Sequence, residues 1–464
     1  MTTSLLEAEL HHDIESFVSD WVCDEGVPGA SIAIVDETDL LFTDGFGARD
    51  RETNTSATPE TLYGIGSCTK SITAVAILQP VENGRLSLTD PISDYLPHLK
   101  DVDGDPITIH ELLTHSSGMP SDGSLSALIT RLTDRSDEDT ALPLSSAGDF
   151  RRHVEGSIGE RLTDRDHFFY YNTGYTLLGE SIEAVTEQPY TDYVRSHIHD
   201  PLGMTRSLFS QSEFESAENR MTPYNQKDGA AVEGSLAFDE RLFAAGGMIS
   251  SVKELANYLQ MFLGSGTVND HTILSAESIE TMIKPYSTRE KYLDDREQGY
   301  GYGVSVEPFL DDTLIHHGGM MGTTTAWFGY LTTAEIGTII LCNTAPEKRP
   351  SDLGKAVLAI LRDESPSAVV PTYMLEQKAK PLLGEYASYR GVRTASVTQN
   401  SGGLHISFDD PGWSADYYVY PERLQSDDYH YHFITDGGKR IPVEFRLEDD
   451  GVSMLFQRWH LHKQ

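Results

Sequence analysis

Apolar residues recur at helical spacing over Leu5–Val22, where Leu6, Leu10, Ile14, Phe17, Val18 and Trp21 share one face. Gly26-Val-Pro-Gly29 ends that pattern. Two β-like runs follow, Ala30–Val35 and Leu40–Gly45, joined as a hairpin across Asp36-Glu-Thr-Asp39. The pattern is helical again from Ile72, and Pro80 is expected to kink or end that helix. Helix-rich sequence continues to about residue 190, interrupted by a polar loop near residues 134–140. Another helix is predicted at Ser251–Leu263. β-like runs return at Gly301–Val306, Thr324–Tyr330 and Ile336–Cys342, before a helix near Leu353–Leu361. A hairpin at one end, helices in the middle and strands at the other end predict an α+β fold, not a parallel βαβ one.

The texture changes beyond Pro366–Pro371, which reads as a linker. Short β-rich runs, Leu404–Phe408, Tyr417–Tyr420 and Val443–Leu447 among them, alternate with Gly, Asp and Pro turns. They predict a small all-β barrel or sandwich. The chain therefore divides into residues 1–365 and 371–464, in keeping with a length of 464 residues, too long for one ordinary core.

Composition narrows the setting. No apolar stretch of about 18 residues exists to span a membrane. The first residues read as the start of a helix, not as a signal peptide. The three cysteines, Cys23, Cys68 and Cys342, are widely spaced and form no CxxC pair, which points to a reducing, cytoplasmic home. Acidic residues number 72 against 35 basic ones, for a net charge of -37, which speaks against nucleic acid or an anionic membrane as partner. The acids are spread along the whole chain, as in a protein adapted to a salt-rich cytoplasm where screening relieves self-repulsion. No cofactor is implied. His430 with His432, and His460 with His462, alternate as same-face strand residues, but no third ligand accompanies them and no metal is expected.

Three segments carry candidate chemistry. Ser67-Cys-Thr-Lys70 opens an apolar helix after Gly64-Ile-Gly66, and its spacing puts Ser67 and Lys70 on one face, one turn apart. The helix start supplies free N–H groups for a developing oxyanion. Cys68 is the stronger nucleophile in principle, but it points away from Lys70 and reads as a packing residue. In Phe169-Tyr-Tyr-Asn-Thr-Gly-Tyr175, Tyr170 and Asn172 would face the same way on an extended loop, a proton relay beside a carbonyl anchor. In Ile315-His-His-Gly-Gly-Met-Met-Gly322, His316 can carry a proton or attract a carboxylate, and Gly318 and Gly319 allow the backbone to approach a ligand.

Together these segments resemble the serine β-lactamase and penicillin-binding-protein superfamily, in its class C-like, DD-peptidase and D-aminopeptidase branch. Ser67-Cys-Thr-Lys70, Tyr170-Tyr-Asn172 and His316-His-Gly318 are similar to its three motifs, the last in a His-x-Gly form where lysine is usual. Gly26-Val-Pro-Gly-Ala30, Ile107–Gly118 and Ala245–Ser250 add to the likeness, which covers residues 10–360. The resemblance implies an antiparallel sheet flanked by helices, with a helical lobe between the first two motifs. It implies Ser67 as nucleophile, Lys70 and Tyr170 as proton carriers, and Asn172 orienting the acyl amide. It places His316 across the cleft, with His317 as second choice under a one-residue register shift, and Gly318 beside the substrate. Its oxyanion hole would be the N–H groups of Ser67 and Gly319. The implied activity is hydrolysis of amide bonds in small peptides, including ones with D-residues. A carboxylesterase and a penicillin-binding sensor without turnover are the alternatives. The C-terminal part resembles the lipocalin-like barrel of some relatives, including self-compartmentalising peptidases, which adds a homo-oligomer to the expected small-molecule or peptide partners.

Overall fold

The computed structural model describes residues 3–100, 105–121, 124–132, 144, 146–162, 167–227, 229–410, 412–424, 429–449 and 451–464. The polar loop expected near 134–140 lies outside the described residues. The chain forms two compact units. One is the chain up to Glu290 with Glu297–Leu358, and the other is Lys291–Arg296 with Ala359–Gln464.

The first unit is built on a large sheet. Its strands are β1 (Thr3–Ser4), β2 (Gly29–Asp36), β3 (Leu40–Asp50), β4 (Ser287–Lys291), β5 (Glu297–Tyr300), β6 (Ser305–Phe309), β7 (Asp312–Met321), β8 (Thr324–Leu331) and β9 (Ile336–Cys342), in the spatial order β1-β3-β2-β9-β8-β7-β6-β5-β4. The pairs from β2–β3 through β2–β9 to β6–β7 are antiparallel, so the first hairpin closes against the strands that end the unit. Central strands are buried on both faces, which is why β2 and β9 read as near-continuous Ala/Ile/Val/Leu runs.

The helices that accompany this sheet include α1 (Ala8–Asp24), α2 (Thr69–Glu82), α3 (Ser124–Leu132), α4 (Asn172–Thr186), α5 (Val252–Leu263) and α6 (Pro350–Leu361); α1 packs on β3 and α5 on β2, β8 and β9, while α3 and α4 pack on other helices. Ser251 caps α5, its side chain accepting from the Glu254 N–H. α2 runs through Pro80, which sits in the last turn and is accommodated there without ending the helix. Of the run expected as one strand at Gly301–Val306, Gly301–Val304 is a turn between β5 and β6, and only Ser305 and Val306 lie in β6. Gly303 has φ +70°, and a Cβ on it would fall 2.5 Å from the Lys70 carbonyl oxygen, so the backbone turns there against α2.

The segment expected as a linker is helical instead: α7 (Pro366–Val369) and α8 (Pro371–Ala379) each begin on a proline, whose missing N–H costs nothing at a first helical position. Beyond them a closed eight-stranded barrel follows, β10 (Gly384–Ser388), β11 (Thr394–Asn400), β12 (Gly403–Asp410), β13 (Trp413–Pro421), β14 (His430–Ile434), β15 (Arg440–Glu448), β16 (Gly451–Phe456) and β17 (Trp459–Lys463). β10 pairs with β17 and removes the free edges. Its interior is aromatic: the Phe456 ring lies 4.8 Å from Tyr417 and 5.5 Å from Phe433. His460 and His462 rings lie 4.3 Å apart, and among the described residues no cluster of three or more His, Cys, Asp or Glu could hold a metal. No described helix is long and apolar enough to cross a membrane.

Candidate active site

Ser67 lies on a single tight turn, Gly66–Cys68, that leads into α2. Gly66 has φ +53°, and a Cβ there would fall 2.4 Å from the Met320 nitrogen, so only glycine lets the turn pass this close to β7. Thr69 Oγ1 donates to the Gly66 carbonyl at 2.7 Å and Ser71 Oγ to the Cys68 carbonyl at 2.9 Å, closing the turn. α2 is buried nearly all round, with Ile72, Val75, Ala76 and Ile77 inaccessible to solvent. Lys70 shares that burial.

The Lys70 ammonium nitrogen lies 3.0 Å from Ser67 Oγ, donates to Asn172 Oδ1 at 2.8 Å and donates to the Ala245 carbonyl. Burial pushes the Lys70 pKa down to about 7, and the Arg289 charge acts in the same direction. A neutral amine has two N–H bonds and one lone pair. Asn172 and Ala245 accept the two N–H bonds, which turns the lone pair toward the Ser67 hydroxyl.

Burial raises the Tyr170 phenol to about 12, against a smaller lowering by the nearby Ser67 side chain, so the ring keeps its proton near neutral pH. Lys70 Nζ stands 5.1 Å from the Tyr170 ring centre and 5.4 Å from that of Tyr175. Tyr171 is extended and precedes the first residue of α4, Asn172, so Tyr170 and Asn172 converge on Lys70 from a loop and a helix start. Cys68 is buried with its Sγ on the His317 carbonyl at 3.3 Å, and burial raises its thiol far above the usual range. It is a packing residue.

The two adjacent histidines of β7 lie on opposite faces of the sheet. His316 does not face Ser67. Its Nε2 meets Glu307 Oε1 at 3.0 Å, its Nδ1 accepts from Trp327 Nε1 at 3.3 Å, and Lys355 of α6 pairs with the same Glu307. Burial would raise the Glu307 carboxyl, but Lys355 and His316 more than offset it and hold it far below the usual range. His317 lies on the other face, with Nε2 at 2.9 Å from the Tyr300 hydroxyl and Nδ1 donating to the Gly318 carbonyl at 2.6 Å. Burial, with Arg289 and Lys70 nearby, pushes His317 well below its ordinary pKa and keeps it neutral. A Cβ on Gly318 would meet nothing closer than 3.8 Å, whereas one on Gly319 would fall 1.9 Å from the Ile65 carbonyl oxygen and 2.9 Å from Ser67 N. Gly319 is thus the glycine that the nucleophile turn requires, and Met320 follows it alongside Gly66.

Two neighbours of the site escaped the sequence reading. Arg289 on β4 donates to Ser305 Oγ at 2.9 Å and holds its guanidinium 5.9 Å from the Tyr170 ring centre. Nothing in Ser287-Thr-Arg-Glu-Lys291 marks it. His115, within a stretch noted only as a connection, packs against Tyr170 with ring centres 4.2 Å apart and planes tilted by 35°, and accepts the Tyr171 N–H on Nδ1 at 3.0 Å. Its φ of +56° is a strained conformation for histidine and has no sequence signature. Burial drives it well below its ordinary pKa.

A large antiparallel sheet carrying a serine and a buried lysine on one helix start defines a class of fold and site. Comparison with known proteins gives the family. The Beta-lactamase family matches residues 7–361, and this chain belongs to it, within the β-lactamase and penicillin-binding-protein-like superfamily. The Pab87 octamerisation domain matches residues 366–462. The octameric penicillin-binding protein homologue from Pyrococcus abyssi is 33% identical, with a TM-score of 0.88 over 97% of this chain and 99% of that one. Protein Flp of Staphylococcus aureus (strain MW2) is 28% identical over 333 residues, 70% of this chain and 61% of Flp. Flp of strain COL is 32% identical over 240 residues, 51% of this chain and 46% of Flp, so the chain spans only part of these curated relatives. SurE solved with D-Leu, 21% identical with a TM-score of 0.59, shares the fold.

Proposed function

We propose that this chain is a serine hydrolase that works through an acyl-enzyme on Ser67, cleaving amide bonds of small peptides, including ones with D-residues. The observation that carries the reading is Lys70: fully buried, 3.0 Å from Ser67 Oγ, with two acceptors for its N–H bonds and a pKa brought down to about 7. In its neutral form it takes the Ser67 proton as the hydroxyl attacks a carbonyl. Tyr170, protonated and beside Ser67, then passes a proton to the leaving group while the Lys70 ammonium returns the proton it took, so both groups end as they began. Asn172 holds Lys70 and presents its amide to the acyl group.

In this reading His317, not His316, is the cleft residue of the third motif, and it orients Tyr300 beside Tyr170. His316 braces β7 from behind through Glu307. The oxyanion hole is the Ser67 N–H with a second N–H from the Gly319–Met320 segment. We assign the second donor to Met320, because Gly319 places its Cα under Ser67. Labelling with a fluorophosphonate followed by mass spectrometry tests the nucleophile. Modification of the Ser67 peptide, lost in Ser67→Ala, is expected. Modification elsewhere refutes the reading. A burst followed by steady turnover separates a hydrolase from an acyl trap, and esters against D- and L-aminoacyl amides separate an esterase from a peptidase.

We also infer self-association through the barrel. The match to an octamerisation domain, the octameric state of the Pyrococcus relative, and the exposed Tyr418, Tyr420 and Ile434 support it. The acid-rich composition supports work in a salt-rich cytoplasm.

A further inference from the structure

We propose that the cavity beside Ser67 is a specificity pocket for a neutral, apolar side chain on the acyl half of the substrate. This rests on the acyl-enzyme reading and adds to it which substrates that enzyme accepts. The cavity has a volume of about 330 Å³ and reaches Ser67 and Asn172. Its apolar lining comes from three places: Leu125 and Ile129 of α3, Ala237 and Leu242 ahead of the Ala245 segment, and Met320 and Met321 at the end of β7. Among the described residues none that lines it is charged. A larger cavity of about 420 Å³, lined by Pro285, Tyr286 and Glu307 among others, does not include Ser67.

The side of the substrate follows from what the cavity leaves out. Tyr170, the proton donor to the leaving group, is not in its lining, nor are His317 and Arg289. The leaving group departs toward Tyr170, where Arg289 supplies positive charge. The cavity, flanked by Asn172 and the Ala245 carbonyl, receives the other half. Asn172 Oδ1 is engaged by Lys70, so its Nδ2 is the edge that meets the acyl group. A carboxylate or ammonium entering the cavity would lose water and gain no ionic partner. An aliphatic or aromatic group gains contact with leucine, isoleucine and two flexible methionines that adapt to its shape. The volume lies near the lower end of about 300–1,000 Å³ for small-molecule sites, which suits one medium side chain or a short acyl chain.

The test uses the full chain and p-nitrophenyl esters of acetate, butanoate, hexanoate and decanoate, with the mono-ester of glutarate as the anionic member. Wild-type kcat/KM should rise about fourfold per methylene, the ratio that ~0.8 kcal/mol per buried CH2 corresponds to, then level off or fall by decanoate. The glutarate ester should lie at least about tenfold below the butanoate. Ile129 is only partly buried and tolerates change in size. Ile129→Trp should move the optimum to shorter chains and Ile129→Ala to longer ones. A flat wild-type profile, or glutarate as good as butanoate, overturns the pocket while fluorophosphonate labelling of Ser67 still stands. An unmoved optimum in two variants that both label does the same. If a variant fails to label, the wild-type profile decides alone. Absence of any label on Ser67 in the wild type overturns the acyl-enzyme reading, and the pocket with it.

Discussion

The pH dependence of acylation should follow Lys70. Its conjugate acid is brought from the usual 10.5 to about 7, chiefly by burial. If the neutral amine is the base, about one molecule in eleven is active at pH 6 and about ten in eleven at pH 8, so kcat/KM should rise about tenfold between them and then level off. The other titratable groups at the site do not blur that limb. His115 and His317 are driven well below their usual range and stay neutral throughout, while Tyr170 sits at about 12 and stays protonated. Arg289 gives a directional control. Its charge lowers the Lys70 pKa, so Arg289→Gln should move the limb to higher pH. The assay is the second-order rate of fluorophosphonate labelling, or kcat/KM on a neutral ester, from pH 5 to 10 at constant high salt. A rate still climbing tenfold per pH unit above pH 9 would mean an ordinary lysine. A rate flat from pH 6 to 8 would mean that Lys70 is not the base. Either result refutes the mechanism, as does an Arg289→Gln limb displaced to lower pH.

Ser67→Ala should abolish turnover and labelling while Cys68→Ala leaves both nearly intact; the reverse pattern in the same assay would move the nucleophile to Cys68. Tyr170→Phe should lower acylation by about 10²-fold, since the relay needs the phenol oxygen and not the ring, as stopped-flow burst rates will report. The paired histidines should separate. His317→Ala should lower kcat/KM at least about tenfold with little change in melting temperature, and His316→Ala should lower the melting temperature by leaving buried Glu307 one partner short, with turnover per labelled molecule retained. Salt should raise the melting temperature steeply, because a net charge of -37 repels itself across a Debye length of about 30 Å at 0.01 M and about 3 Å at 1 M. A flat melting curve from low to molar KCl would make the acidic surface ordinary solubility chemistry.

What the sequence by itself determined lies close to local geometry. Ser67 and Lys70 meet because three residues are one turn of any helix. Tyr170 and Asn172 converge because one extended residue separates them. The short β-rich runs of β13 and β15, set off by turn residues, predicted an all-β unit, a barrel or a sandwich, and the closure into a barrel came from the pairing of β10 with β17. The tertiary structure decided the rest. Which of two adjacent histidines faces the cleft depends on strand register, where a slip of one residue exchanges the faces. Here the register is set by β7 pairing with β8 and by Gly319 lying under Ile65 and Ser67. Pro80 could stay inside α2, and Gly301–Val304 had to turn, for reasons of packing that no periodicity carries. Arg289 comes to Tyr170 from more than a hundred residues away, and it arrives through sheet order alone. The same holds for the basicity of Lys70. The residue type supplies an ordinary amine, and only enclosure by α2, α4 and the Ala245 segment, which withholds water from its charged form, makes it a base near neutral pH.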